Sequence, residues 1–134
     1  MRVQDIMTIS YITVAPETPV LEARQLMVEK RIRHLLVTNG GRLAGIVTDR
    51  DIRLNLPSPA TSLSVWEINY LLAKMTVGAV MTKEVIAIGP TQEAREAAQV
   101  MVENKIGALP VVSSGQLVGI ITETDVLREF AKTA

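Results

Sequence analysis

Cysteine is absent from this chain of 134 residues, which removes disulfides, thiolate metal sites and cysteine nucleophiles together and fits a reducing compartment. The single histidine, His34, is too little for a structural zinc and gives no ground for general-base catalysis. Aromatic residues are scarce, one Trp, two Tyr and one Phe, so the core must be aliphatic. Net charge is lacking as well: 14 Lys and Arg balance 14 Asp and Glu, which argues against a nucleic-acid partner. No apolar run is long enough to cross a bilayer, and Met1 to Ser10 has no signal-peptide apolar stretch. The expectation is a soluble, cytoplasmic chain with no membrane partner. No glycine-rich loop matches a P-loop, and no hydroxyl has a histidine–carboxylate pair, so no catalytic residue, metal or catalytic cofactor is expected and the chain is read as a non-enzyme.

What is there is a duplication. A shift of 74 positions lays Val3 to Leu56 on Val77 to Phe130 without a gap, with about twenty identical pairs. Met7-Thr8 falls on Met81-Thr82, Pro16 on Pro90, Met27-Val28-Glu29 on Met101-Val102-Glu103, and Gly45-Ile46-Val47-Thr48 on Gly119-Ile120-Ile121-Thr122. This divides the chain into repeat 1 (1–56), a structured helical linker (57–76) and repeat 2 (77–134). One copy of this size buries too little surface to be comfortable alone, whereas two can share a core and repeat any site they carry.

Each copy has the same grammar. A helical turn over Val3 to Met7 precedes a short strand, Tyr11 to Val14, closed by Pro16. Thr18 reads as the cap of a helix with Pro19 in first position and Val20, Ala23 and Met27 on one face, reaching about Lys30. Thr91 is the corresponding cap in the second copy. His34 to Thr38 and Arg42 to Thr48 form a hairpin across Asn39-Gly40-Gly41, repeated as Leu109 to Val112 and Gln116 to Thr122 across Ser113-Ser114-Gly115. A last helix begins near Asp49 and near Glu123. In the linker, Pro57-Ser58-Pro59 breaks the chain and Ser64 with Glu67 makes a capping box. The helix that follows carries an apolar stripe of Val65, Ile68, Leu72 and Met75. Trp66 and Tyr70 share another face, either covering the edge of the core or meeting a partner subunit.

Polar chemistry concentrates at the end of each hairpin, in Thr48 with Asp51 and Thr122 with Asp125. This spacing puts a hydroxyl at a helix entrance and a carboxylate one turn on, beside backbone N–H groups that face an anion. Asp can accept from the vicinal hydroxyls of a ribose while Thr and the helix terminus hold a phosphate. Alternatively, the threonines cap the helices and the aspartates offset the dipole. Gly45 and Gly119 inside the preceding strands point to a bulge or to the close approach of another backbone or a ligand. Asp49 with Asp51, and Glu123 with Asp125, are two apart on a helix and should not converge.

The motif Gly45-Ile46-Val47-Thr48-Asp49-Arg50-Asp51, with its copy Gly119-Ile120-Ile121-Thr122-Glu123-Thr124-Asp125, resembles that of tandem CBS domains, the paired modules that bind adenine nucleotides and related adenosyl compounds. The linker and Ile32-Arg33-His34-Leu35 resemble most closely the CBS pair of acetoin-utilisation accessory proteins. The resemblance implies an α+β (α/β) fold of two β-α-β-β-α repeats packed through their sheets with pseudo-two-fold symmetry. It implies clefts in which Asp51 and Asp125 hold ribose and Thr48 and Thr122 lie near phosphate. Backbone around Ile32, Arg33 and His34, and around Ile106, Gly107 and Ala108, would surround adenine or sugar together with Ile9 and Lys83. The regulatory ligand implied is AMP, ADP, ATP or another adenosyl compound such as S-adenosylmethionine, acting on a partner protein, with the module itself a homodimer. The alternative is a constitutive dimerisation or scaffold module whose clefts are empty or degenerate.

The copies differ at the phosphate edge: Arg33, His34 and Arg50 in the first stand where Gly107, Ala108 and Thr124 stand in the second. A basic side chain of one copy can, in the family, reach phosphate held by the other, so Arg33 and His34 are open to either cleft. Unequal sites follow, with tight binding in at most one.

Overall fold

Which segments fold together differs from the order of the repeats. The computed structural model describes residues 1–57 and 61–132 and divides into two compact units. One comprises 12–83; the other comprises 1–11 with 84–134. Each copy thus lends its opening segment to the unit built on the other copy. Positions 58 and 59 of the proline break lie outside the described residues.

In the unit of 12–83, β1 (Thr13–Val14) runs parallel to β2 (His34–Asn39), which pairs antiparallel with β3 (Arg42–Thr48). The first strand is shorter than the sequence suggests. Helix α2 (Val20–Lys30) buries Val20, Ala23 and Met27 against Leu35, Val37 and Val47, together with Ile52 of α3 (Asp49–Asn55). Each Val, Leu, Ile or Met among them contributes about 1.5–3 kcal/mol on burial, and none is aromatic. Helix α4 (Val65–Lys74) starts on the expected capping box, with Ser64 Oγ accepting from Glu67 N at 3.2 Å and Ser64 N donating to Glu67 Oε1 at 3.2 Å. Helix α5 (Val77–Val80) begins the second repeat yet closes the first core: Val77 N donates to Thr18 O and Gly78 N to Pro16 O, both at 2.8 Å.

The unit of 1–11 and 84–134 repeats this pattern. Helix α1 (Val3–Ile6) donates from Val3 N to Gln92 O at 2.8 Å and from Gln4 N to Pro90 O at 2.9 Å. Helix α6 (Ala94–Asn104), hairpin β4 (Ala108–Ser113) and β5 (Gln116–Thr122), and α7 (Glu123–Lys132) enclose a core of Val3, Ile88, Ala97, Met101, Leu109, Val111 and Ile121. Tyr11, read from sequence as the start of β1, instead donates its hydroxyl to Leu117 O at 3.2 Å in this unit.

One difference between the sheets coincides with a single residue. Leu36 N donates to Ile12 O at 3.4 Å and helps attach β1, whereas the matching Pro110 has no N–H to give. The third strand there shrinks to one parallel bridge, Ile88 to Val111, with Ile88 N to Pro110 O at 3.0 Å and Val112 N to Ile88 O at 2.9 Å.

Three sequence readings need correction. Thr18 does not cap α2: its Oγ1 accepts from Ala15 N at 3.1 Å, closing the turn before the helix. Nor does Thr91 cap α6; the residue in register with Thr18 is Gln92, whose Oε1 makes the same bond, to Gly89 N at 2.8 Å. On α4, Ile68, Leu72 and Met75 are partly buried but Val65 is exposed, and Trp66, at 84% exposure, covers no core edge.

Candidate functional site

The end of each hairpin delivers a helix start, and the two T-x-x-D corners form there. At the first, Asp51 N donates to Thr48 Oγ1 at 3.0 Å and Thr48 N donates to Asp51 Oδ2 at 2.9 Å. This reciprocal box satisfies two helix-end donors and orients the carboxylate. The capping alternative is therefore realised, and it leaves Asp51 Oδ1 without a protein partner among the described residues. Asp49 turns away to Arg53 at 3.1 Å, so the paired carboxylates do not converge, as expected.

The second corner repeats the box, with Asp125 N to Thr122 Oγ1 at 3.2 Å and Thr122 N to Asp125 Oδ2 at 2.9 Å. Its carboxylate is further engaged. Thr8 Oγ1 donates toward Asp125 Oδ1 at 3.1 Å and Oδ2 at 3.3 Å, and Arg128 Nη1 lies 3.6 Å from Oδ1. Asp125 is 6% exposed and is the buried polar residue of the described chain, whereas Asp51 is half-buried.

The glycines explain how the opening segments reach these corners. Thr82 exchanges backbone bonds with Ile46 at 2.9 and 3.1 Å, and a Cβ on Gly45 would lie 2.6 Å from Thr82 O and 2.8 Å from Met81 Sδ. Thr8 exchanges the same bonds with Ile120 at 2.8 and 3.0 Å, and a Cβ on Gly119 would lie 3.0 Å from Thr8 O and 2.9 Å from Met7 Sδ. Of the readings left open for these glycines, backbone approach holds, and a register shift in each hairpin adds the bulge.

This exchange distributes the expected site residues. Lys83, exposed and directly after Thr82, belongs to the unit of Asp51, while Ile9, exposed and directly after Thr8, belongs to that of Asp125. Arg33 O accepts from Asp49 N at 3.0 Å and His34 pairs with Thr48, which sets Ile32, Arg33 and His34 beside the first corner. Arg50 is exposed on the first turn of α3. At the second corner Gly107 O accepts from Glu123 N at 2.9 Å and Ala108 pairs with Thr122. The side chains of Ile32 and Ile106, partly buried, pack against their own cores. The first corner thus has Arg33, His34, Arg50 and Lys83 in its surroundings, and the second has Gly107, Ala108, Thr124 and Ile9. Thr8 is the participant that sequence reasoning missed. Its hydroxyl was visible in the Met-Thr pair, but nothing local tells that it meets a carboxylate 117 positions away.

Among the described residues no group of acidic or histidine side chains could hold a metal ion, and no helix is long and apolar enough to cross a membrane.

A duplicated α+β module with one Thr–Asp corner per copy is the class that this geometry defines. The chain belongs to the CBS domain family, whose model matches residues 3–58 and 77–132. It is 43% identical over 116 residues to inosine-5′-monophosphate dehydrogenase of Korarchaeum cryptofilum, covering 86% of this chain and 21% of that enzyme. It spans between 21% and 47% of the length of the first three curated relatives it matches. Among solved structures, a Vibrio cholerae protein assigned to acetoin utilization (AcuB) superposes with TM-score 0.82 at 30% identity, over 98% of this chain and 91% of that one. The CBS domain pair of protein MJ0100, in complex with 5′-methylthioadenosine and S-adenosyl-L-methionine, gives TM-score 0.82 at 26% identity over 100% and 98%.

Proposed function

We propose that repeats 1–56 and 77–134, with the linker 57–76, act as one regulatory module that takes an adenine nucleotide at the Asp51 corner and transmits its binding to a partner protein. The observation that carries this reading is the Asp51 carboxylate. One oxygen is pinned by Thr48 N–H, and the other has no protein partner among the described residues and is free to accept from a ribose hydroxyl. Arg33, Arg50 and Lys83, all exposed, suit a phosphate on the same ligand. The adenosyl compounds bound to the MJ0100 pair support the ligand class. AMP, ADP and ATP are the forms that use the basic residues; S-adenosylmethionine would use the ribose contacts alone. The Asp125 corner, backed by Ile9 and without those basic neighbours, is the weaker site.

The module is not itself an enzyme in this reading: the dehydrogenase shares with it 116 residues, 21% of its length. A ligand changes the output only by its differential affinity for two arrangements of the module. Pairing with a second copy is part of the proposal, supported by the exposed Trp66, Tyr70 and Leu71 on α4. That face also favours the rival reading, a constitutive scaffold. Thermal shift with AMP separates the two: the sensor is stabilised, and Asp51→Ala loses most of that stabilisation while Asp125→Ala keeps it. A wild-type protein that no adenine nucleotide stabilises is a scaffold.

A further inference from the structure

The two corners differ in one contact that neither the repeat nor the family match predicts. Thr8 and Thr82 are equivalent residues on equivalent bridges, yet the Thr8 hydroxyl donates to Asp125, at 3.1 and 3.3 Å, while Thr82 is exposed and makes no bond to Asp51 among the described residues. A carboxylate binds a vicinal diol through lone pairs on its two oxygens. At Asp125 one oxygen already takes Thr122 N–H, and both face the Thr8 hydroxyl.

We infer that Thr8 is a built-in competitor for the diol site at Asp125, a latch that keeps the second corner closed to ribose until its hydroxyl turns away. This rests on the reading of the corners as ribose sites. A diol entering at Asp125 replaces one charge-assisted hydrogen bond before it adds its own, whereas at Asp51 nothing has to be displaced. The Thr8 backbone is tied to Ile120 at 2.8 and 3.0 Å, so opening the latch needs only rotation of the side chain. Occupancy of the second corner is then governed by a residue of the opening segment, 117 positions from the carboxylate in sequence but in hydrogen-bond contact with it, which makes Thr8 a specificity determinant outside the T-x-x-D motif.

The test uses calorimetric titration with adenosine, which has the diol and no phosphate, in the full chain carrying Asp51→Ala so that only the second corner reports. Adding Thr8→Val, which keeps the shape and removes the donor, should tighten adenosine binding about tenfold, the equivalent of one hydrogen bond to a charged group. Adding Thr8→Ser, which keeps the donor, should leave affinity unchanged and also shows that the position tolerates replacement. Equal or weaker binding with Thr8→Val, while Asp51→Ala with Asp125→Ala abolishes it, overturns the latch and leaves the ribose corner standing. Adenosine binding that survives loss of both aspartates overturns the corner reading, and the latch with it.

Discussion

The two halves of this chain carry the same motif at the same spacing, and they have diverged in how completely the protein satisfies its own polar groups. At the second corner the aspartate is buried and its oxygens are occupied by Thr122 N–H, the Thr8 hydroxyl and, more distantly, Arg128. At the first the same aspartate is half-buried, with one oxygen left over and basic residues around it. A group that has found all its partners within the fold contributes to stability, and a group that lacks one is available to a ligand. Duplication supplies two identical starting points, and the difference between them is whether a carboxylate oxygen is already taken by the fold or left over.

That comparison breaks most sharply at the glycines. Gly45→Ala would drive a Cβ to 2.6 Å from a backbone oxygen, against 3.0 Å for Gly119→Ala, and backbone yields less readily than a methionine tip. Overpacking of this kind costs about 1–3 kcal/mol. Gly45→Ala is expected at about 3 kcal/mol and Gly119→Ala at about 1–2 kcal/mol in urea unfolding. Equal losses would show that the approach of the opening segments is equally tight in both units.

The aspartates come next, and here the order reverses. Asp125→Ala leaves the part-buried Thr8 hydroxyl and Thr122 N–H without their acceptor, and is expected to cost about 2–3 kcal/mol. Asp51→Ala removes one half of a part-buried capping box, worth about 1 kcal/mol. Denaturant melts of the two variants without ligand would refute the contrast if Asp51→Ala proved the more damaging.

Most elements were legible in sequence because their causes are local. The aliphatic face of α2 follows from Val20, Ala23 and Met27 at helical spacing, and the hairpins from the residues at their turns. The exchange of opening segments was not legible, for a reason that duplication itself creates. Met7-Thr8 and Met81-Thr82 present the same side chains, and Gly45 and Gly119 the same gap, so pairing within a copy and pairing across copies look alike in one dimension. The same ambiguity hid the Thr8 contact and left open which corner Ile9 and Lys83 would join. Even the turns show a limit: Ser114 adopts φ 51° where the first copy has Gly40 at φ 61°, so the bend is held by the strands on either side as well as by glycine.

The smallest expected effect concerns the sheets. Pro110→Leu restores the residue type of Leu36 and gives position 110 an N–H that can donate to Ile86 O, as Leu36 donates to Ile12 O at 3.4 Å. One hydrogen bond contributes about 0.5–1.5 kcal/mol, while loss of the proline releases about 0.4–1 kcal/mol of unfolded-state restriction, so the two nearly cancel. Net stability should change by less than about 0.5 kcal/mol, within the range of an ordinary substitution. Hydrogen exchange is the decisive readout, because the new amide at position 110 should be protected to the same degree as that of Leu36. An amide that exchanges freely would mean that the chain before Ile88 is held off the sheet by something other than the missing donor, and that the two-stranded sheet is not the work of one proline.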